Sequence, residues 1–213
     1  MTDKKLELRA QKIRKILPIL KKLYPSPKTA LHYSTPWELM VAVQLSAQCT
    51  DKKVNEITPK LFKKYKKLEE YVRANPREFE KHIYQTGFYK NKTKNILAAA
   101  RAVKEKWNGT LPRTMAELIT IPGVARKTAN VILGELYGVS EGITVDTHVR
   151  RLAQRWGLTD HQDAVKIERD LIHLVPKKEW LLFGHRVTYY GREYCSAKRH
   201  NHEKCPIPDG LSA

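Results

Sequence analysis

Pro122-Gly123 separates two helix-forming stretches, and no other feature limits the fold of this chain so strongly. Thr114 and Glu117 in TMAE make a capping-box pattern, so a short helix starts there with Met115, Leu118 and Ile119 on its inner side. Pro122 presets its own φ, and Gly123 can take the positive φ of a type II turn, which leaves the backbone N–H groups of residues 123 to 125 exposed. The next helix, from about Arg126 to Tyr137 and ended by Gly138, aims its positive N-terminal end at the same place. The hairpin is thereby a candidate phosphate site.

Lys127 falls in the first turn of that helix, where the dipole and neighbouring Arg126 both disfavour a protonated amine. A neutral amine is a nucleophile that forms a Schiff base with an aldehydic carbon, whereas a protonated one is only a counter-ion. Asp146 lies ahead of HVRRLAQRW at a helix N-cap, a position that favours aspartate for structural reasons alone. Capping and catalysis both stay open for it at this point.

Helix starts recur along the rest of the chain. Thr35-Pro36-Trp37-Glu38 opens a helix that runs through LMVAVQLSAQ, with apolar residues around most of its circumference and Gln48 as a polar residue near its end. Thr50-Asp51 caps the next, through about Tyr65, and Asn75-Pro76-Arg77-Glu78 repeats the pattern. Asn91 to Trp107 reads as a further helix with Ile96, Leu97, Ala100 and Val103 inward. Residues 5 to 24 form an amphipathic helix on Ile13, Ile16, Leu17, Leu20 and Leu23. Residues 162 to 175 and about 178 to 191 supply the last helices, with His173, Trp180, Phe183 and His185 packed. Phe88, beside Gly87, reads on its own as a core residue. Little alternates with period two, so the fold is all-α.

The helical chain is strongly basic. Forty Lys+Arg against 22 Asp+Glu in 213 residues give a formal charge of +18, for which an acidic polymer is the natural partner. RNA binding has no aromatic platform motif behind it. No apolar run reaches spanning length and MTDKKLELRA has no apolar signal core, so the expectation is a soluble cytoplasmic protein of one or two small domains, with no membrane partner.

PGVARKTANVIL followed by VDTHVRRL resembles the helix-hairpin-helix DNA glycosylases, and within them the endonuclease III family. LSAQCTDKKVN at residues 45 to 55 and TGFYKNKTKNI at 86 to 96 resemble two more motifs of that family in the expected order, and the similarity covers about residues 30 to 195. The resemblance implies a two-lobed, all-α HhH-GPD fold with its active site in the cleft between lobes. Residues 29–139 would form a helical barrel domain holding the helix-hairpin-helix at about 114–138. Residues 1–28 and 140–213 would form the second domain.

It also implies a function: a base-excision-repair DNA glycosylase with AP lyase activity, which flips a damaged nucleotide out of the duplex and removes oxidised pyrimidines. Lys127 would attack the sugar C1′ and form a Schiff base, Asp146 would assist, and β-elimination would cut the strand. Gln48 would enter the gap left by the flipped nucleotide, and Phe88 would be an apolar wedge opposite it. Pro122, Gly123, Val124 and Ala125 of the hairpin would hold a backbone phosphate, with Lys198 and Arg199 near the phosphates in a basic C-terminal loop. Ala125 stands where the family often has glycine, and positive φ costs alanine more, so the second half of the turn would be altered. The partner would be double-stranded DNA with damaged bases or abasic sites, met by a monomer at the nucleoid.

Rival readings remain. A monofunctional glycosylase for mismatched or alkylated bases is the nearest, but the adenine-mismatch branch uses a carboxylate on the helix before the glutamine motif, where Ala42, Val43 and Leu45 stand here, and it normally lacks the hairpin lysine. A non-catalytic DNA-binding module explains the charge and the hairpin but gives no role to Lys127, Asp146 or Gln48.

Family members commonly end with four cysteines spaced C-x6-C-x2-C-x5-C around a [4Fe-4S] cluster. The matching positions are Cys195, His202, Cys205 and Leu211, so the expectation is no cluster, no other cofactor and no metal. Cys195, His200, His202 and Cys205 are an allowed zinc donor set, at a spacing unlike a common zinc module. With Cys49 the three cysteines make no disulfide framework.

Overall fold

The computed structural model describes residues 3–198 and 200–208. Its helices are α1 (Asp3–Leu23), α2 (Pro36–Leu45), α3 (Asp51–Lys64), α4 (Leu68–Val72), α5 (Pro76–Ile83), α6 (Tyr89–Trp107), α7 (Met115–Leu118), α8 (Arg126–Tyr137), α9 (Thr147–Arg155), α10 (Ala164–Leu174) and α11 (Trp180–Glu193). There is no strand among the described residues, and none of the described helices is long and apolar enough to cross a membrane.

Side-chain caps set where these helices begin. Thr35 Oγ1 accepts from Glu38 N at 3.1 Å, Thr50 Oγ1 from Lys53 N at 3.2 Å, and Asn75 Oδ1 from Arg77 N at 2.9 Å. Each supplies an acceptor to a first-turn N–H that has no partner within the helix.

The chain divides into two compact units. One is Ala30–Gly138. Its centre is α2, on which Leu39 to Leu45 are all buried, because apolar residues cover the whole circumference and other helices must surround it. The rings of Tyr65, Tyr71 and Phe79 pack at centroid distances of 5.3 to 5.9 Å beside Leu61, Ile83 and Ile96. Tilted ring pairs of this kind contribute about 0.5–1.5 kcal/mol each beyond their area. A second cluster, including Met40, Val103, Leu118, Ile132 and Leu133, seats α7 and α8.

The other unit joins Met1–Thr29 to Val139–Ala213. Ile13, Ile16 and Leu20 of α1 share a core with Trp156, Leu171, Phe183 and Tyr190. Buried Arg186 on α11 donates to Tyr24 O at 2.9 Å, Pro25 O at 3.0 Å and Glu179 Oε2 at 2.8 Å. One guanidinium thus holds the end of α1, the segment that follows it and the start of α11 together.

Some local expectations are corrected. α2 ends at Leu45, so Gln48 lies beyond the helix, exposed and in the left-handed region with φ 53. Ile119 is the C-cap of a four-residue helix and is 49% exposed, since Met115, Leu118 and Ile121 already fill the inner side. His173 is exposed because the inward stripe of α10 is Ile167, Leu171 and Leu174, and His173 points away from it.

Candidate nucleic-acid and catalytic site

The hairpin between α7 and α8 is a tight turn. Val124 N donates to Ile121 O at 3.0 Å, and Gly123 has φ +77, as Pro-Gly at the central positions of a type II turn requires. Val124's N–H therefore closes the turn and is not among the outward donors, which corrects the expectation for residues 123 to 125. Ala125 is the N-cap of α8 with φ −86 and ψ 168, ordinary extended backbone. The anticipated cost of alanine there is absent, because only Gly123 carries the left-handed step.

Gly123 is also fixed by space. A Cβ on it would lie 2.7 Å from Gln44 Oε1 and 2.8 Å from Asn95 Cβ. Gln44, buried in α2, donates through Nε2 to Pro122 O at 3.3 Å, so α2 holds the hairpin from beneath. Sequence reasoning missed Gln44. A glutamine among apolar residues, one position before the end of α2, gives no signal of a partner so far along the chain.

Lys127 is exposed on the first turn of α8. Asp146, in the other unit, is half-buried at the N-cap of α9. Its Oδ1 accepts from Val149 N at 2.8 Å, and its Oδ2 lies 3.0 Å from Thr188 Oγ1. The cap uses a single oxygen. Capping and chemistry are therefore compatible roles, since each carboxylate oxygen keeps a further lone pair.

Gln48 and Phe88 share an uncommon backbone. Both are non-glycine residues in the left-handed region, with φ 53 and 48, and both line one pocket of about 210 Å³ together with Asn95, Gly123 and Thr128. Conformations of this kind cost about 1–3 kcal/mol and persist where the surroundings over-determine them. Here the determinant is Lys92. Its buried Nζ donates to Leu45 O at 2.7 Å and to Thr86 O at 2.8 Å, tying the end of α2, just ahead of Gln48, to the turn just ahead of Phe88. Burial lowers its pKa from the ordinary lysine value. Phe88 is 63% exposed, so its reading as a core residue from sequence alone is wrong.

Lys198 is exposed, while Arg199 and Leu211 lie outside the described residues. The expectation of no cofactor and no metal is overturned. Cys195, His200, His202 and Cys205 each offer one donor atom, and these four atoms all lie within 4.8 Å of one another. Spacing along the chain misled here. The helical turn His202–Lys204, capped by Asn201, folds the loop back so that residues at unfamiliar intervals converge.

The family described as HhH-GPD superfamily base excision DNA repair protein matches residues 41–177. The chain is 47% identical over 196 residues to an endonuclease III of Synechocystis sp., covering 92% of this chain and 90% of that one. It resembles a solved non-covalent endonuclease III–DNA complex with TM-score 0.87 and 39% identity, over 93% of this chain and 92% of that one. A trapped endonuclease III–DNA covalent intermediate matches with the same TM-score and identity, over 93% of each chain.

Proposed function

The chain belongs to the HhH-GPD superfamily of base excision DNA repair proteins, and on that premise we propose how its residues carry the reaction. It is a base-excision DNA glycosylase with AP lyase activity whose partner is DNA containing damaged bases or abasic sites. Oxidised pyrimidines are the lesion class, and the place of work is the nucleoid in the cytoplasm.

The observation that carries the mechanism is the exposed amine of Lys127 at the start of the hairpin helix, in a chain so similar to an enzyme trapped covalently on DNA. Asp146 takes a proton from the Lys127 ammonium, and the freed amine attacks C1′ of the flipped nucleotide. The N–C1′ bond forms as the glycosidic bond breaks, with its electron pair leaving on the base. Opening of the sugar ring gives the protonated Schiff base. Loss of a proton from C2′ then expels the 3′ phosphate by β-elimination and cuts the strand. In the alternative role, the Asp146 carboxylate, held by Val149 N and Thr188, keeps its charge and stabilises the positive charge developing on the sugar.

Gln48 and Phe88 fill the gap in the duplex. The exposed Phe88 ring serves as the wedge, and strained but braced backbones hold both residues ready. Pro122, Gly123, Val124 and Ala125 present the turn and the positive end of α8 to a backbone phosphate, with Lys198 adding charge. Arg199 has the same role, from outside the described residues.

The experiment is borohydride trapping on duplexes carrying thymine glycol or an abasic site, with wild type and Lys127→Ala. A covalent adduct formed by wild type alone is the expected result. An adduct undiminished in the variant would place the nucleophile elsewhere.

A further inference from the structure

We propose that Cys195, His200, His202 and Cys205 form a closed, tetrahedral zinc site that clamps the C-terminal loop onto the end of α11. Cys195 and Cys205 are buried, at 2% and 8% exposure, and neither is in a disulfide. Cys195 Sγ lies 3.7 Å from His202 Nδ1, and Cys205 Sγ lies 3.5 Å from His200 Nε2. Around one zinc ion, with sulfur at about 2.3 Å and nitrogen at about 2.0–2.1 Å, donors at tetrahedral corners stand roughly 3.4–3.8 Å apart. The two pairs have that separation before any ion draws them in.

Supporting contacts prepare the ligands. His200 Nδ1 lies 2.8 Å from Lys198 O, and a carbonyl can only accept, so this nitrogen carries the ring proton. Nε2 is then left with a bare lone pair facing Cys205, the tautomer a metal needs. Arg151 places Nη1 3.8 Å from Cys195 Sγ while Nη2 donates to Cys195 O at 2.7 Å, so its guanidinium fixes Cys195 at the end of α11. Past the second cysteine, Ile207 N donates to Tyr190 Oη at 2.9 Å, which fixes the loop's far end to α11.

The donor set selects the ion. Two thiolates and two imidazoles complete a tetrahedron with no open position, which is the pattern of structural rather than catalytic zinc. A [4Fe-4S] cluster fits this set poorly. It takes four cysteine thiolates, of which two are present, and its ligands attach around the outside of a four-iron cage, further apart than donors sharing one ion.

The test uses the full-length, untagged protein and measures zinc, iron and acid-labile sulfide after gel filtration. About one zinc per chain without sulfide is the expected result, with at least a ten-fold loss of zinc in Cys205→Ser and in His200→Ala. The wild type is also stripped with a chelator and reloaded with cobalt(II), which does not depend on any variant folding. Intense visible bands of tetrahedral sulfur–nitrogen coordination, and a thermal midpoint that falls on stripping and recovers with zinc, would support the site. Iron with stoichiometric sulfide would overturn it. So would a stripped protein giving only the weak bands of six-coordinate cobalt, or zinc retained in the His200→Ala, Cys205→Ser double variant.

Discussion

Thr188 Oγ1 lies 3.0 Å from Asp146 Oδ2 and 2.9 Å from Gly184 O, so one hydroxyl proton serves two acceptors. An ionised carboxylate is the stronger acceptor and takes it. When Asp146 gains a proton, it can donate to Thr188 and the hydroxyl turns to Gly184. Thr188 thereby holds the carboxylate in place through both protonation states.

Replacing that hydroxyl should slow chemistry without loosening the fold. Thr188→Val leaves Oδ1 to cap α9, so its thermal midpoint should stay within a few degrees of wild type. Its single-turnover rate at an abasic site should fall about ten-fold, well short of the loss on removing a general base outright. Affinity for the duplex should hold, and Thr188→Ser should recover the rate. A Thr188→Val rate equal to wild type would remove Thr188 from the mechanism.

The hairpin should not tolerate a methyl group. Gly123→Ala combines φ +77 with a Cβ 2.7 Å from Gln44 Oε1, and the strain should cost about 1–3 kcal/mol of stability. If the turn grips a phosphate, the variant should also bind abasic duplex more weakly whatever the surrounding sequence, with a shallower dependence on salt. Titrations at several salt concentrations read this. An unchanged affinity and slope would detach the hairpin from DNA.

Stability and function should part company at Phe88. Its left-handed backbone suits glycine, and its ring is 63% exposed, so Phe88→Gly should melt no lower than wild type. If Phe88 is the wedge, the preference for abasic over undamaged duplex should nevertheless drop at least about ten-fold. A variant that still discriminates fully would show that Phe88 is not the wedge.

Acid should act through Glu179. Burial raises its carboxyl pKa, but hydrogen bonds from Lys21 and Arg186 outweigh burial and hold it below the usual 4.5. A depressed folded pKa means that the stabilisation is present above the unfolded value and is lost as pH falls through the folded one. Glu179→Gln should be less stable than wild type by about 3–5 kcal/mol at neutral pH, since buried Arg186 loses its counter-charge. That gap should narrow as the pH drops below 4.5. Calorimetry from neutral pH downward tests the sign, and a gap that widens in acid would contradict it.

Much of the helical layout is legible in the sequence because its signals are local. Thr35, Thr50, Asn75, Thr114 and Asp146 accept bonds from residues two or three further on, and Pro-Gly sets its own turn. Lys127 and Asp146 could be singled out for the same reason. What could not be read depends on distant partners. Gln44 reaches Pro122, 78 residues away, Thr188 stands 42 residues from Asp146, and Lys92 meets Leu45 and Thr86 only once the helices have packed.

The loop after α11 divides the two most sharply. Its sequence determined the donor types, two thiols and two imidazoles, and spacing argued against their meeting. Tertiary structure decided otherwise. Burial of Cys195 and Cys205, the anchoring of Ile207 by Tyr190 and the turn at His202 bring four donor atoms within 4.8 Å of one another. The physical reason is general: hydrogen bonds between near neighbours follow from residue order, whereas convergence in space is set by which surfaces the whole chain buries.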